Sequence, residues 1–235
     1  MKILAVDTST KFLCLALADN DKAYAYNLDL GRKLSSLLPV TIKRVLESLD
    51  WKAGDINYFA CGLGPGSFTG LRVGLATIKG LAWALNKPVA GIPTLDLLAL
   101  NASSFGNRYI VPVIDAKRNL IYSAIYETKG AELKKVTPYM LLAPDELLKK
   151  IKPGSLILGD ALSLYKDKFM QSQKKLEPKD KDYWYPRALN LIALAKDKIK
   201  KGEKLSGYDF KPIYIYPKEC QIKEAPRYKL VQASK

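Results

Sequence analysis

An α/β fold built from one structural unit used twice is what the sequence predicts, and three observations carry that prediction. Apolar patterning over residues 1–106 gives the order strand, strand, strand, helix, strand, helix, strand, helix. From Tyr109 the order partly recurs in a shorter form. Each copy opens on an apolar strand that ends in an aspartate, Asp7 in the first and Asp115 in the second, 108 residues apart.

The elements follow in turn. Lys2 to Val6 is a continuous apolar run ending at Asp7-Thr8-Ser9-Thr10, as expected of a buried strand opening into a polar turn. Phe12 to Ala18 and Lys22 to Leu28 are two strands around Asp19-Asn20-Asp21, residues that tolerate a left-handed turn. The period then changes. Leu37, Leu38, Ile42, Val45, Leu46 and Leu49 recur three or four residues apart and predict a helix, with Pro39 delaying or kinking its first turn. Ile56 to Cys61 is a short strand, and the glycine-rich segment Gly62 to Gly70 leads into a helix carrying Leu71, Leu75, Ile78, Leu81, Ala82 and Leu85. Pro88 to Ile92 is a strand, followed by a helix capped by Thr94.

In the second copy, Ile110 to Ile114 is a strand, Ile121 to Glu127 and Leu133 to Val136 form a hairpin, Pro144 to Ile151 is a helix and Leu156 to Leu158 a strand. Lys166 to Lys181 lacks periodicity and reads as a loop. A helix starts at Pro186, placed at N1, with Leu189, Ile192, Ala195 and Ile199 on one face. Alternation at Ile213-Tyr214-Ile215-Tyr216 suggests a terminal edge strand or a docking segment. An antiparallel meander feeding parallel strands through crossover helices is the ribonuclease H-like order, and two such units in tandem make the actin-like ATPase and sugar-kinase architecture. The expected division is a lobe at 1–106 and a reduced lobe with a terminal segment at 107–235.

Composition narrows the chemistry. The chain has 235 residues, 48% hydrophobic, enough for a substantial core. No apolar run reaches the roughly 20 residues of a membrane span, so a soluble cytoplasmic protein with no membrane contact is expected. Cys14, Cys61 and Cys220 are odd in number and far apart, which fits reduced packing residues rather than disulfides. There is no histidine, which removes every Ser-His or Cys-His nucleophile and every His-ligated metal site. No cofactor or metal is expected. The net charge of +15 lies mainly in the second half, where residues 121–235 carry 24 Lys/Arg against 14 Asp/Glu. That excess permits a tRNA-binding reading whose affinity falls steeply with salt.

Three motifs have two readings each. In actin-like ATPases an Asp ending the first strand holds hydrated Mg²⁺ while the turn binds phosphate, so Asp7, Thr8 and Ser9 are candidate nucleotide ligands. The plainer reading is an Asx-type turn closing the strand, which the lack of glycine in it favours. Gly62 to Gly70 is either a phosphate cradle at a helix N-terminus or a tight turn allowing close approach of another helix. The residues after its last glycine are Leu71 and Arg72, not the Lys-Ser/Thr of a P-loop. Asp7, Glu47 and Asp115 suggest a two-metal nuclease, but Asp115 belongs to the other copy.

Ile3-Leu4-Ala5-Val6-Asp7-Thr8-Ser9-Thr10, Leu37-Leu38-Pro39 and Gly64-Pro65-Gly66-Ser67-Phe68-Thr69-Gly70-Leu71-Arg72-Val73-Gly74 together resemble the signatures of the TsaB family, as do Lys79-Gly80-Leu81-Ala82 and Asp115-Ala116-Lys117-Arg118. The strong part of the resemblance covers residues 1 to about 126, and the C-terminal half rests on Pro212-Ile213-Tyr214; Leu34 stands where the family commonly has His and Lys117 where it often has Arg. It implies a non-catalytic paralogue of TsaD, the subunit that transfers a threonylcarbamoyl group to N6 of adenosine 37 in ANN-decoding tRNAs. The partners implied are TsaD and the ATPase TsaE, a homodimer when the chain is alone, and tRNA through the complex. The interface then expected is a four-helix bundle built on Leu37, Leu38, Ile42 and Val45 of one helix and Gly70, Leu71, Gly74, Leu75, Ile78 and Ala82 of the next. On that view a bulky residue at Gly74 abolishes association and leaves the monomer folded. The rival from another class is a free-standing actin-like kinase or ATPase working through Asp7 and Asp115.

Overall fold

The computed structural model describes residues 1–130, 132–203 and 210–215. Strand β1 (Lys2–Asp7) is buried from Ile3 to Asp7 in mid-sheet, which is why its sequence is apolar throughout rather than alternating. Strands β2 (Leu13–Asp19) and β3 (Lys22–Leu28) join it antiparallel, around a turn with Asn20 at φ 48°. Helix α1 (Leu34–Ser48), strand β4 (Tyr58–Gly64), helix α2 (Phe68–Ala84), strand β5 (Val89–Pro93) and helix α3 (Thr94–Leu100) complete the unit. The sheet order is β3-β2-β1-β4-β5, with β1, β4 and β5 parallel. Helix α1 begins at Leu34 and continues through Pro39.

The second unit repeats the plan. Strand β6 (Tyr109–Asp115) takes the central place; β7 (Ile121–Ser123) pairs with its end and β8 (Tyr126–Lys129) with its start. They break apart at Ile125, whose amide is turned to Thr137 Oγ1 at 2.9 Å. Strand β9 (Glu132–Lys135) pairs with β8, and β10 (Met140–Leu142), unforeseen in the sequence, pairs with β7. After helix α4 (Pro144–Lys150), strand β11 (Leu156–Leu158) runs parallel to β6, and β12 (Glu177–Pro178) parallel to β11. The chain is thus a duplicated ribonuclease H-like fold.

Several expectations are corrected here. The stretch 166–181 is not a loop: it contains most of helix α5 (Leu162–Met170) and all of β12, and α5 buries only Leu162 and Phe169, too few to show a period. Helix α6 (Ala188–Lys200) has Arg187 as its N-cap, so Pro186 lies outside it. Its inner face is Ala188, Leu191, Ile192 and Ala195, while Leu189 is exposed. Thr94 does not cap α3; Pro93 is the N-cap and makes no side-chain bond.

The partner stripes also turn inward. Leu38, Ile42, Val45, Leu71, Leu75, Ile78 and Ala82 pack as one cluster on Leu4, Val6, Leu15 and Phe59 of the chain's own sheet, and Leu37 is half-buried. A surface helix with one apolar stripe spends it on the sheet beneath, at about 2 kcal/mol per large side chain. Gly70 and Gly74 are likewise buried, and the close approach they permit is to the Thr8 backbone and side chain, not to another helix. A bulky residue at Gly74 therefore strikes the monomer itself.

The third helix of each unit crosses over. Helix α3 packs Leu95, Leu98 and Ala99 on Ile110, Ile114 and Leu156 of the second sheet. Helix α6 packs Ala188, Leu191 and Ile192 on Ile3, Ala5 and Ala60 of the first. Each of these helices therefore packs on the other unit's sheet, and Phe210 is buried in the first unit's core as well. Of the expected terminal strand, Ile213 donates its amide to Leu63 O at 2.8 Å and Ile215 packs on the second unit; Tyr216 lies outside the described residues. Among the described residues no helix is long and apolar enough to cross a membrane.

Candidate functional site between the lobes

The two aspartate turns face each other across a cleft of about 680 Å³. Its walls include Thr8 to Lys11 and Gly66 to Leu71 on one side and Asp115, Lys117 and Asp160 on the other, with Ile213 and Tyr214 from the C-terminal segment.

Asp7 lies beneath this cleft, not in it, and is fully buried. Its Oδ1 accepts the Ser9 amide at 2.8 Å and the Ser9 hydroxyl at 2.6 Å. Its Oδ2 accepts the Thr94 hydroxyl at 2.8 Å, across 87 residues of sequence. A Cβ at Gly62 would sit 2.1 Å from that same oxygen, so only glycine fits there. Burial raises the Asp7 pKa above its ordinary value, against the opposing pull of the Ser9 and Thr94 hydrogen bonds. Burial also pushes up the thiols of Cys14 and Cys61, with the Asp7 charge adding to it, so both behave as packing residues; Cys220 is outside the described residues.

The glycine-rich segment is clamped onto this turn. Ser67 N donates to Ser9 O at 2.7 Å, and Thr8 Oγ1 donates to Gly70 O at 2.7 Å. A Cβ at Gly66 would lie 2.2 Å from Ser9 O and one at Gly70 2.0 Å from Thr8 O. Ser67 caps α2 by accepting the Gly70 amide at 3.2 Å. The candidate ligands Thr8 and Ser9 are therefore brought to the cleft, but their hydroxyls are turned into the protein.

On the opposite wall Asp115 Oδ1 accepts the Lys117 amide at 2.8 Å, and Lys117 Nζ lies 2.5 Å from Oδ2. Lys117, Arg118 and Asn119 all have positive φ, between 52° and 63°. Asp160 accepts the Asp115 amide at 2.9 Å, and burial raises its pKa. Asp7, Glu47 and Asp115 do not converge: Glu47 is on the exposed face of α1, 3.7 Å from Lys43. Among the described residues no three Cys, Asp or Glu side chains are grouped to hold a metal. Among the described residues the acidic set of the nuclease reading is not assembled.

Sequence reasoning missed Asp160, and gave Thr94 and Lys117 no part in the site. Thr94 carried a misleading signal, since a threonine after proline before an apolar run reads as a cap. Asp160 carried one usable signal, an acid just beyond the β11 strand end.

Comparison with known proteins gives a consistent picture. The family model described as TsaD, tRNA N6-adenosine threonylcarbamoyltransferase, matches residues 29–189. The tRNA threonylcarbamoyladenosine biosynthesis protein TsaB of Bacillus subtilis is 34% identical over 170 residues, 71% of this chain and 74% of that protein. Its counterpart in Escherichia coli is 26% identical over 225 residues, 92% of this chain and 94% of that protein. The structure of YeaZ from Pseudomonas aeruginosa superimposes with a TM-score of 0.79 at 25% identity, covering 91% of this chain and 99% of that one.

Proposed function

We infer that this chain, which belongs to the TsaB family, is a non-catalytic subunit for tRNA threonylcarbamoyladenosine synthesis in the cytoplasm. It binds a TsaD homologue, brings the ATPase TsaE to the complex, meets tRNA through that complex and pairs with itself when alone. The observation that carries the reading is a fold kept without its chemistry. The chain matches a transferase family over 29–189, yet it has no histidine, and its first-strand aspartate is buried under bonds from Ser9 and Thr94.

The partner surface remains the pair α1 and α2, now by their outer faces. Val40 of α1 is 42% and Trp83 of α2 65% exposed, and a separate groove of about 430 Å³ between the helices is lined by Lys43, Glu47, Trp51, Thr77 and Leu81. An exposed tryptophan such as Trp83 suits an interface anchor. The test is co-purification with TsaD from the same cell, then threonylcarbamoylation of tRNA with each subunit alone and together. Activity only in the full mixture is the expected result, with association lost in Trp83→Glu. Transfer by TsaD at full rate without this chain, or no association, overturns the reading.

A further inference from the structure

We propose that a second groove, outside both the cleft and the α1–α2 face, binds an unpaired stretch of RNA, with phosphates on Lys11, Lys181 and Arg187 and a base against the rings of Phe12 and Tyr185. The groove has a volume of about 560 Å³ and lies between the start of β2 and the segment leading into α6. That volume falls within the roughly 300–1,000 Å³ of small-ligand sites. Phe12 and Tyr185 meet edge to face, 4.8 Å between centroids at 79°, and form its aromatic part. Of the charged residues lining it three are cations and one, Asp182, is an anion; Lys11 is in addition paired with Asp29 at 2.8 Å.

The aromatic segment is held from beneath. Asn101, buried at 5% exposure, donates from Nδ2 to the carbonyls of Tyr183 at 3.0 Å and Tyr185 at 2.8 Å. Its Oδ1 accepts from Asn190 Nδ2 at 2.8 Å, so the amide itself cannot rotate freely. Trp184 Nε1 donates to Lys179 O at 2.9 Å, and Arg187 lies 4.6 Å from the Tyr183 ring while donating to Asp182 O at 3.1 Å. A surface segment fixed in this way presents its rings and charges with little ordering left to do on binding.

Cations beside aromatic faces suit a nucleotide strand, because phosphates meet the charges and unstacked bases meet the rings. A-form duplex RNA offers only its backbone and groove edges, and an acidic peptide offers charge without base faces. The choice of RNA among polyanions rests on the function inferred above; the groove does not.

The test is fluorescence anisotropy of a labelled single-stranded oligoribonucleotide titrated with the full chain over a range of salt. The single strand is expected to bind in preference to its own duplex. Lys181→Glu with Arg187→Glu is expected to weaken binding by about tenfold or more and to reduce the salt slope by roughly two. Tyr185→Ala is expected to weaken it by about five- to hundredfold, and Tyr185→Phe to keep it. Equal affinity for duplex, equal displacement by poly-glutamate, displacement by free ATP at matched nucleotide concentration, or unchanged binding by folded Tyr185→Ala each overturns the proposal. Lost transfer with strand binding intact counts against the subunit reading alone; intact transfer without strand binding counts against the groove alone.

Discussion

Asp7 and Asp115 close equivalent strands, and in both the Oδ1 atom accepts the amide two residues on at 2.8 Å, from Ser9 and from Lys117. Beyond that shared Asx bond the two turns part. The other oxygen of Asp7 meets a buried threonine from α3, under a glycine that admits no side chain. The other oxygen of Asp115 meets Lys117, whose side chain is 82% exposed. Both turns line the cleft, but the Asp7 carboxyl has become a core pin while Asp115 stands in the wall. What differs is not the turn but what neighbouring elements bring to its carboxylate: α2 and α3 close over Asp7, while Asp115 meets an exposed lysine in the cleft wall.

Substitutions can break or sharpen this contrast. The largest effect is expected for Gly74→Leu, because a Cβ there would lie 2.2 Å from Thr8 Oγ1 and α2 must lift off the first turn. A loss of about 3 kcal/mol or more in urea unfolding is expected, against about 0.5 kcal/mol or less for Lys166→Leu on exposed α5. A stable, folded Gly74→Leu monomer would restore the view that this glycine serves a partner.

Next comes the pair Asp7→Ala and Asp115→Ala. The first strands the Ser9 and Thr94 donors in the core and should cost about 3 kcal/mol. The second loses an Asx bond and an ion pair at the cleft, about 1 kcal/mol or less. Equal losses in chemical denaturation would mean that the two turns are not as different as their surroundings.

The smallest effect is a pH dependence. Burial raises the folded-state pKa of Asp7 above 3.8, so between those two values the folded chain holds a proton that the unfolded chain releases. That contribution to stability is complete below the unfolded value and is lost as pH rises through the folded one. The stability of the native chain relative to Asp7→Asn should therefore fall with rising pH across that window, by at most about 1.4 kcal/mol per unit. A flat or rising difference would mean the carboxyl is not desolvated.

Much of this was legible in the residues. The first unit's order of elements could be read because its strands are long and its helices print a full apolar stripe. The second unit was harder: α5 buries two side chains, β12 spans two residues, and the β7–β8 break at Ile125 leaves no mark in composition. The candidate site divided in the same way. Asp7 and its Asx turn were visible because that bond is local, whereas Thr94 reads as a helix cap until α3 is placed against β1. The stripes of α1 and α2 were read as a partner face but lie on the chain's own sheet, because periodicity identifies a stripe without saying whether that sheet or another molecule will cover it.

The sequence by itself determined the duplicated unit, the lack of histidine chemistry and the two aspartate turns, all of which depend on residue type and short spacing. Tertiary structure alone decided that Asp7 is a buried pin, that Gly70 and Gly74 serve Thr8, that α3 and α6 exchange sheets, and that Asn101 fixes an aromatic groove. Those outcomes rest on which surfaces meet across about 60 or more residues of chain, and contacts at that range have no period to read.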